Sequence, residues 1–246
     1  MNSINDYVLK KLEIGIPKVV RKISFAVNYE ALDKGRYDVF YYQPKYRGMV
    51  EYLKKGKYEL KELKEIVRFS KEVIDPTKEP EKIFKYIEIA GVDSKFGKIK
   101  SFKKILGKNA PSRARKVLRT GDIVVSTLRE TLRSIAIVPK ELANSVGTTG
   151  FAVLRPKTIS KEFLYSVLRT NFILELMKQK ATGAIMPAVT EGDLKHIKIP
   201  VPPIKIQNEI AEEIQRREQR AEQLKQEAEE IEHRAKQKVE KIILRG

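Results

Sequence analysis

The stretch Pro202–Arg245, PPIKIQNEIAEEIQRREQRAEQLKQEAEEIEHRAKQKVEKIILR, decides how this chain is built. After Pro203 neither proline nor glycine interrupts it until Gly246. Apolar or small residues return on a seven-residue beat at Ile210, Ile214, Ala221, Leu224, Ala228, Ile231, Ala235 and Ile242. That beat predicts a long helix with a seam for another long helix. From Ile204 to Arg245 it would extend about 63 Å. Placing Ile214 at heptad position a puts Ala221, Ala228 and Ala235 at a as well. Branched aliphatics, not alanines, favour a parallel zipper at that position. Three small residues let helix axes approach closely, which suits an antiparallel pair. A solitary charged helix needs only i,i+4 ion pairs such as Glu232–Lys236 and has no use for the apolar stripe.

Charge separates this rod from what precedes it. The chain has 246 residues and a formal charge of +18. Residues 204–246 hold 10 Lys/Arg and 10 Glu, so the whole excess lies before the rod. A balanced helix suits a protein partner, and a cationic body suits a polyanion. Lys95–Ser134 concentrates the excess, with twelve Lys/Arg against Asp122 and Glu130. A lysine-rich solvated surface of a heat-adapted protein is the bland alternative, but it would intersperse the two signs.

Several functions are excluded. There is no cysteine, which removes disulfides, thiolate metal sites and cysteine nucleophiles. His196 and His233 are too far apart in sequence to suggest a metal site. No phosphate-cradling glycine loop is present, and Pro202-Pro203 lacks the polar residue that precedes such a pair in adenine methyltransferases. Glu62-Leu63-Lys64 is half of a nuclease pattern, a triplet expected by chance in so Lys/Glu-rich a chain. No enzyme activity is expected. No stretch is long and apolar enough to span a membrane, and the N-terminus lacks a secretory leader, so a cytoplasmic protein is expected.

The body reads as α+β. Helices are expected from Pro44 to Gly56, over Leu60–Val67, from Ala110 to Gly121, over Lys161–Gln179, and for one turn at Thr190–His196 with Thr190 as cap. Strands are expected at Ile83–Ala90, Lys98–Phe102, Asp122–Leu128, Arg133–Val138, Ser145–Leu154 and Ile197–Val201. Residues 1–35 show no clean period and stay unassigned.

Four segments carry a resemblance: RYDVFYYQPKY (Arg36–Tyr46), APSRARKVLRTGDIVVSTLR (Ala110–Arg129), ATGAIMPAVTEGDLKHIKIPVPP (Ala181–Pro203) and IKIQNEIAEEI (Ile204–Ile214). In this order they resemble the specificity subunit of type I restriction–modification systems. The resemblance implies a target-recognition domain over 36–203 and a spacer and dimerisation helix over 204–246. It also implies a sequence-specific binder of double-stranded DNA that reads one half of a bipartite site. Adenine methyltransferase subunits would dock on it and bring their own S-adenosylmethionine, and a restriction and translocase subunit would join them. The family pattern has two recognition domains and two helices, whereas here there is one of each. The second half would be another copy, a different half-subunit, or the rest of a longer chain. A rod of about 63 Å matches about 18 base pairs, and a two-fold pair predicts a palindromic site. A basic nucleic-acid-binding scaffold that only dimerises through its helix is the competing reading.

Candidate contacts follow from side-chain chemistry. Lys103, Lys104, Lys108 and Lys116 suit phosphates. Arg113, Arg115, Arg129 and Arg133 suit guanine edges, which a guanidinium grips through two bonds. Strand alternation would place Val125, Thr127 and Arg129 on one face, with Thr127 and Arg129 outward and Ser126 a further polar contact. Thr182-Gly183 and Met186-Pro187 read as a structural turn.

Overall fold

The computed structural model describes residues 3–15, 24–32 and 36–243. In chain order its elements are α1 (Ile4–Lys11), α2 (Pro44–Lys54), β1 (Leu60–Glu62), α3 (Leu63–Ile66), β2 (Val67–Phe69), β3 (Ile83–Ile87), β4 (Val92–Asp93), β5 (Lys98–Ile99) and β6 (Lys103–Leu106). There follow β7 (Ala114–Leu118), β8 (Ile123–Ser126), β9 (Ile135–Ile137), β10 (Ser145–Thr148), β11 (Phe151–Pro156), α4 (Lys161–Leu168), α5 (Asn171–Lys180), α6 (Glu191–Lys195), β12 (Lys198–Pro200) and α7 (Ile204–Ile243). The expected α+β class and the long C-terminal helix are both present.

Two four-stranded sheets lie at the centre, ordered β2-β11-β8-β9 and β6-β3-β10-β7. The first is antiparallel throughout. In the second only β3 and β10 run parallel. The first sheet is buried on both faces. Ile123, Val125, Ile135, Ala152 and Leu154 join the helices in the main core. Val124, Ala136, Phe151 and Val153 meet Ile87 and Leu118 of the second sheet. Hence IVVS in β8 alternates between two cores and has no solvent face, so the face shared by Val125 and Thr127 is not an outward one along the strand. A strand covered on both sides is apolar continuously.

Three segments differ from the sequence expectation. Ala110–Gly121 is not a helix: Ala114–Leu118 pairs with β10 as an edge strand, Val117 opposite Val146. Pro111 and Ser112 mimic a helix start, but a run this short gains more from ladder bonds than from an isolated helical turn. Leu60–Val67 breaks into strand, single turn and strand, because Leu60–Glu62 pairs with β12. Lys161–Gln179 is two helices, since the Thr170 hydroxyl caps α5 by accepting from the Ile173 N–H (3.3 Å) and donates to the Val167 carbonyl (2.7 Å).

The N-terminal helix belongs to this body. Val8, Leu9 and Leu12 are buried in the main core, and Ser3 caps α1 in a reciprocal box with Asp6. Residues 1–2, 16–23 and 33–35 of the unassigned N-terminal segment lie outside the described residues.

The root of α7 is fixed by one glutamine. Buried Gln207 donates through Nε2 to the Pro202 carbonyl (2.8 Å) and accepts through Oε1 from the Ser160 N–H (2.8 Å). It ties the start of α7 to the cap of α4. Ile210, Ala211 and Ile214 are buried beside it. This corrects the seam: Ile210 and Ile214 are consumed by the chain's own core and are not offered to a partner helix.

Higher up, α7 meets the β4–β5 turn. Arg169 donates through Nη2 to the Lys95 carbonyl (2.7 Å) and places Nη1 3.4 Å from Glu218. The Tyr165 hydroxyl, also bonded to Arg169, lies 3.2 Å from the carbonyls of Phe96 and Gly97. Gly97 has φ +65, and a Cβ there would collide with Arg169 and Tyr165. Lys98 pairs with Glu222, and the Lys225 ammonium stands 5.5 Å from the Phe96 ring centre. Residues 223–240 are all exposed. The apolar residues there, Leu224, Ala228, Ile231 and Ala235, are bare; Ala221 just below them is bare too. Ile242 is a seam position whose side chain lies outside the described residues.

Three outcomes check this packing. Ile214→Ala should cost about 2–5 kcal/mol in denaturant unfolding, as truncation of a buried aliphatic does. Arg155 joins Asp122 (2.9 Å) to Glu72 (2.7 Å), and the Asp122 side chain is only 3% exposed. Arg155→Ala strands that carboxylate and should cost about 3–5 kcal/mol by the same measurement. At Asp93, burial opposes ionisation, but the Lys100 ammonium and the N–H groups of Phe96 and Lys95 outweigh it and hold the carboxyl at about 2. A depressed folded value stabilises above the unfolded value near about 3.9, and that contribution disappears as pH falls toward 2. Unfolding curves of Asp93→Asn should lack this acid-dependent component.

Candidate nucleic-acid interface

The cationic block does not form one continuous patch. Of the twelve cations in 95–134, seven are paired with acids outside that window or on the rod: Lys98 with Glu222, Lys100 with Asp93, Lys103 with Glu88, Lys108 with Glu81, Arg115 with Asp75, Lys116 with Glu191 and Arg119 with Glu72. Counting charge along the sequence could not show this, because the fold supplies the acids from other elements. Most of these lysines are more than half exposed, and ion pairs in water contribute about 0–1 kcal/mol. Such a pair exchanges readily for a phosphate.

The candidates fall into three places. Lys103 and Lys104 sit on edge strand β6, with Lys108 in the turn after it. Lys104 lies opposite Lys85 of β3 and has no carboxylate partner among the described residues. The β6 edge is three strands from β7, about 14 Å away.

Arg113, Arg115, Lys116, Thr127 and Arg129 gather around the other end of the sheets. The Thr149 N–H donates to the Arg113 carbonyl (2.8 Å), and the Thr127 N–H donates to the adjacent Gly150 carbonyl (2.9 Å). The Val189 N–H donates to Thr127 (2.8 Å), and the Arg129 N–H donates to Pro187 (2.8 Å). This ladder ties the β10–β11 turn, the end of β8 and the 182–188 loop together. Arg113 is exposed and has no carboxylate partner among the described residues. The Thr127 hydroxyl is committed to the Gly150 carbonyl (3.0 Å). Ser126 is buried against the Thr131 hydroxyl (2.7 Å). Ser126 is closed off where β8 ends, and half-buried Thr127, expected outward, turns its hydroxyl to the backbone instead.

Arg129 is braced. Its guanidinium lies 3.9 Å from the Phe40 ring centre, and Phe40 packs edge-on against Tyr46 at 5.5 Å. Tyr46 is buried, and its hydroxyl has no hydrogen-bond partner among the described residues. Burial first, and the Glu175 carboxylate second, hold that phenol above its ordinary range. Arg36 stacks 4.0 Å from the Tyr41 ring centre and donates to the carbonyls of Gln179 (2.9 Å) and Ala181 (2.9 Å). The segment RYDVFYYQPKY therefore caps the C-terminus of α5 and supports Arg129 from behind.

Arg133 occupies the third place. It shares a cavity of about 350 Å³ with Arg129, Ser94, Thr131, Asn171 and Lys178. The Asn171 side-chain oxygen accepts from its guanidinium. Burial and then the neighbouring Arg169 charge push its pKa down from the usual arginine range. Glu62 of the nuclease-like triplet is paired with Lys64 (2.6 Å) and His196 (3.2 Å). Among the described residues no group of three metal-ligating side chains occurs, and no helix is long and apolar enough to cross a membrane.

Sequence reasoning missed Gln207 and Arg169, which aim the rod. Gln207 had a signal, a polar residue on the buried side just after a double proline. Arg169 had none, since its partners lie far away along the chain.

Known proteins resemble this chain in sequence and fold. Residues 55–233 match the type I restriction modification DNA specificity domain. Over 131 residues the chain is 30% identical to a Methanocaldococcus jannaschii protein provisionally named type I restriction enzyme MjaX specificity subunit, covering 53% of this chain and 30% of that one. A structure from work on complex assembly and conformational transition of the type I R-M system is 38% identical with a TM-score of 0.61, covering 70% of this chain and 45% of that one. The HsdS subunit from Thermoanaerobacter tengcongensis is also 38% identical with a TM-score of 0.61, covering 68% and 43%. The chain spans less than half the length of each of these relatives. The family match takes in both sheets, the Gln207 lock and most of the rod, and the chain belongs to the type I restriction modification DNA specificity domain family.

Proposed function

We propose that this chain supplies one half of a type I specificity subunit, reading one half of a bipartite duplex DNA site without chemistry of its own. The body formed by residues 36–203 together with α1 is the reader, and residues 204–246 are the spacer and pairing element. One observation carries this reading. A charge-balanced helix is seated on a cationic body for its first turns and then runs free, with Leu224, Ala228, Ile231 and Ala235 uncovered. Ile231 is 61% exposed. A helix that served only its own core would end where the core ends.

The seat shortens the reach estimated from the whole rod. If antiparallel pairing centres near residue 229, the two Ile214 positions stand about 45 Å apart. That is the rise of about 13 base pairs. The second helix comes from another copy, another half-subunit, or a continuation of the chain. Methyltransferase subunits carrying S-adenosylmethionine, and a restriction subunit, would complete the assembly. In the reader, exposed Lys104 and Arg113 meet phosphate or base edges directly, while Lys103, Lys108, Arg115 and Lys116 exchange their carboxylates for phosphate.

Sedimentation tests the pairing. Leu224→Ser with Ile231→Ser should shift the chain toward monomer without lowering its melting temperature, because both side chains are outside the core. Binding to a selected duplex tests the reader. Lys104→Ala and Arg113→Ala should each flatten the salt dependence by about one unit of slope. Arg133→Ala should weaken binding with folding unchanged. A strict monomer that ignores a co-expressed methyltransferase, or salt slopes equal to the parent's, would overturn this function. Spacing-dependent binding to two half-sites distinguishes it from a general nucleic-acid scaffold.

A further inference from the structure

The loop between α5 and α6 carries an apolar tip that the reading above does not use. Ile185 is 95% exposed and Met186 65%, followed by Pro187. The loop beneath them is stiff. Thr182 and Ala188 exchange backbone hydrogen bonds of 2.9 and 2.8 Å, and Ala188 also bridges to Leu128. Gly183 makes the turn at φ +111, a conformation side-chain-bearing residues avoid. The Arg129 and Val189 N–H groups fasten the return strand, both at 2.8 Å. A turn built only to connect two helices would place polar residues at such a tip.

The surroundings are cationic. Thr127, which binds Val189 at the loop base, also binds Gly150, and the neighbouring Thr149 binds Arg113. Three such hydrogen-bonded steps put the Arg113 backbone on the order of 14 Å from the loop base, about four base-pair rises. The carboxylate nearest in sequence, Glu191, is taken by Lys116 (2.8 Å). Two aliphatic side chains flanked by cations are too small an apolar area for a protein dock. They suit a polyanion with an apolar interior. Isoleucine, methionine and proline are the residues that proteins push between base pairs.

We infer that Ile185 and Met186 form a wedge that enters the DNA at one base step of the half-site, parting the stack there while Arg113 holds a nearby phosphate. The inference rests on the DNA-reading function proposed above. The wedge adds specificity without a hydrogen bond to any base, since steps differ in the energy needed to open them.

The test uses the full chain and a duplex selected by it from a random-sequence pool, resynthesised with 2-aminopurine at successive positions. The parent should raise the fluorescence at one step. Ile185→Ser with Met186→Ser should abolish that rise and weaken binding about tenfold, with the salt slope unchanged because no cation is lost. An unchanged melting temperature confirms that the variant is folded. No rise at any position with the parent, or a rise retained by the variant, overturns the wedge. So does a variant that binds DNA like the parent but no longer retains a co-expressed methyltransferase, since the tip is then a protein contact. If the parent selects no duplex, the DNA reading itself fails and the wedge with it.

Discussion

The seating of α7 on the body is the constraint on which the remaining structure depends. A helix of 40 residues has no intrinsic direction relative to the domain that precedes it. Here direction is imposed twice: at the root by Gln207 with Ile210 and Ile214, and farther along by Arg169 with Glu218, Lys98 and Lys225. The first contact is buried and carries no charge, so it is strong and insensitive to salt. The second is polar and draws on the β4–β5 turn, with Gly97 making room for the guanidinium. Two separated points define an axis, whereas one would leave a pivot.

The body that precedes the helix is built to be rigid for a related reason. Its central sheet is covered on both faces, by helices on one side and by the second sheet on the other. The ladder running from Arg113 through Thr149, Gly150 and Thr127 to Val189 is entirely backbone. Side chains that differ at the surface can therefore be exchanged without moving the frame. The aromatic segment 36–46 contributes from behind, as Phe40 and Tyr46 hold Arg129 and Arg36 closes α5. On the proposed function, rigidity of this kind would let long side chains meet DNA with little ordering left to do.

The long helix, the family resemblance and most strands were legible in the sequence, because each rests on local period or local order. The heptad beat is legible in the sequence, but what covers its first two positions is not. Period alone cannot tell which neighbour covers an apolar stripe, and Ile210 and Ile214 are covered in cis. Ala114–Leu118 was illegible as a strand, since β10, its partner, lies some thirty residues downstream. The cation count in 95–134 was right and its meaning incomplete. Glu72, Asp75, Glu81, Glu88 and Glu191 come from elsewhere in the chain and are brought to it only by the fold. Ser126 and Thr127 were illegible for the same reason: their partners, the Thr131 hydroxyl and the Gly150 carbonyl, are brought to them only by the fold.

The two anchors matter because the rod is a lever. Its unsupported part, residues 226–243, extends about 27 Å. A tilt of about 10° at the seat would displace its far end by about 5 Å, more than the 3.4 Å or so of one base-pair step. In a paired assembly both halves add such errors. If the proposed assembly fixes half-site spacing to the base pair, it demands a seat stiffer than a single hydrophobic contact. Arg169, satisfied on one side by fixed backbone carbonyls and on the other by Glu218, answers that demand. In the proposed assembly, spacing would thus be set in two parts, by the length of the free helix and by the angle at which the body holds it.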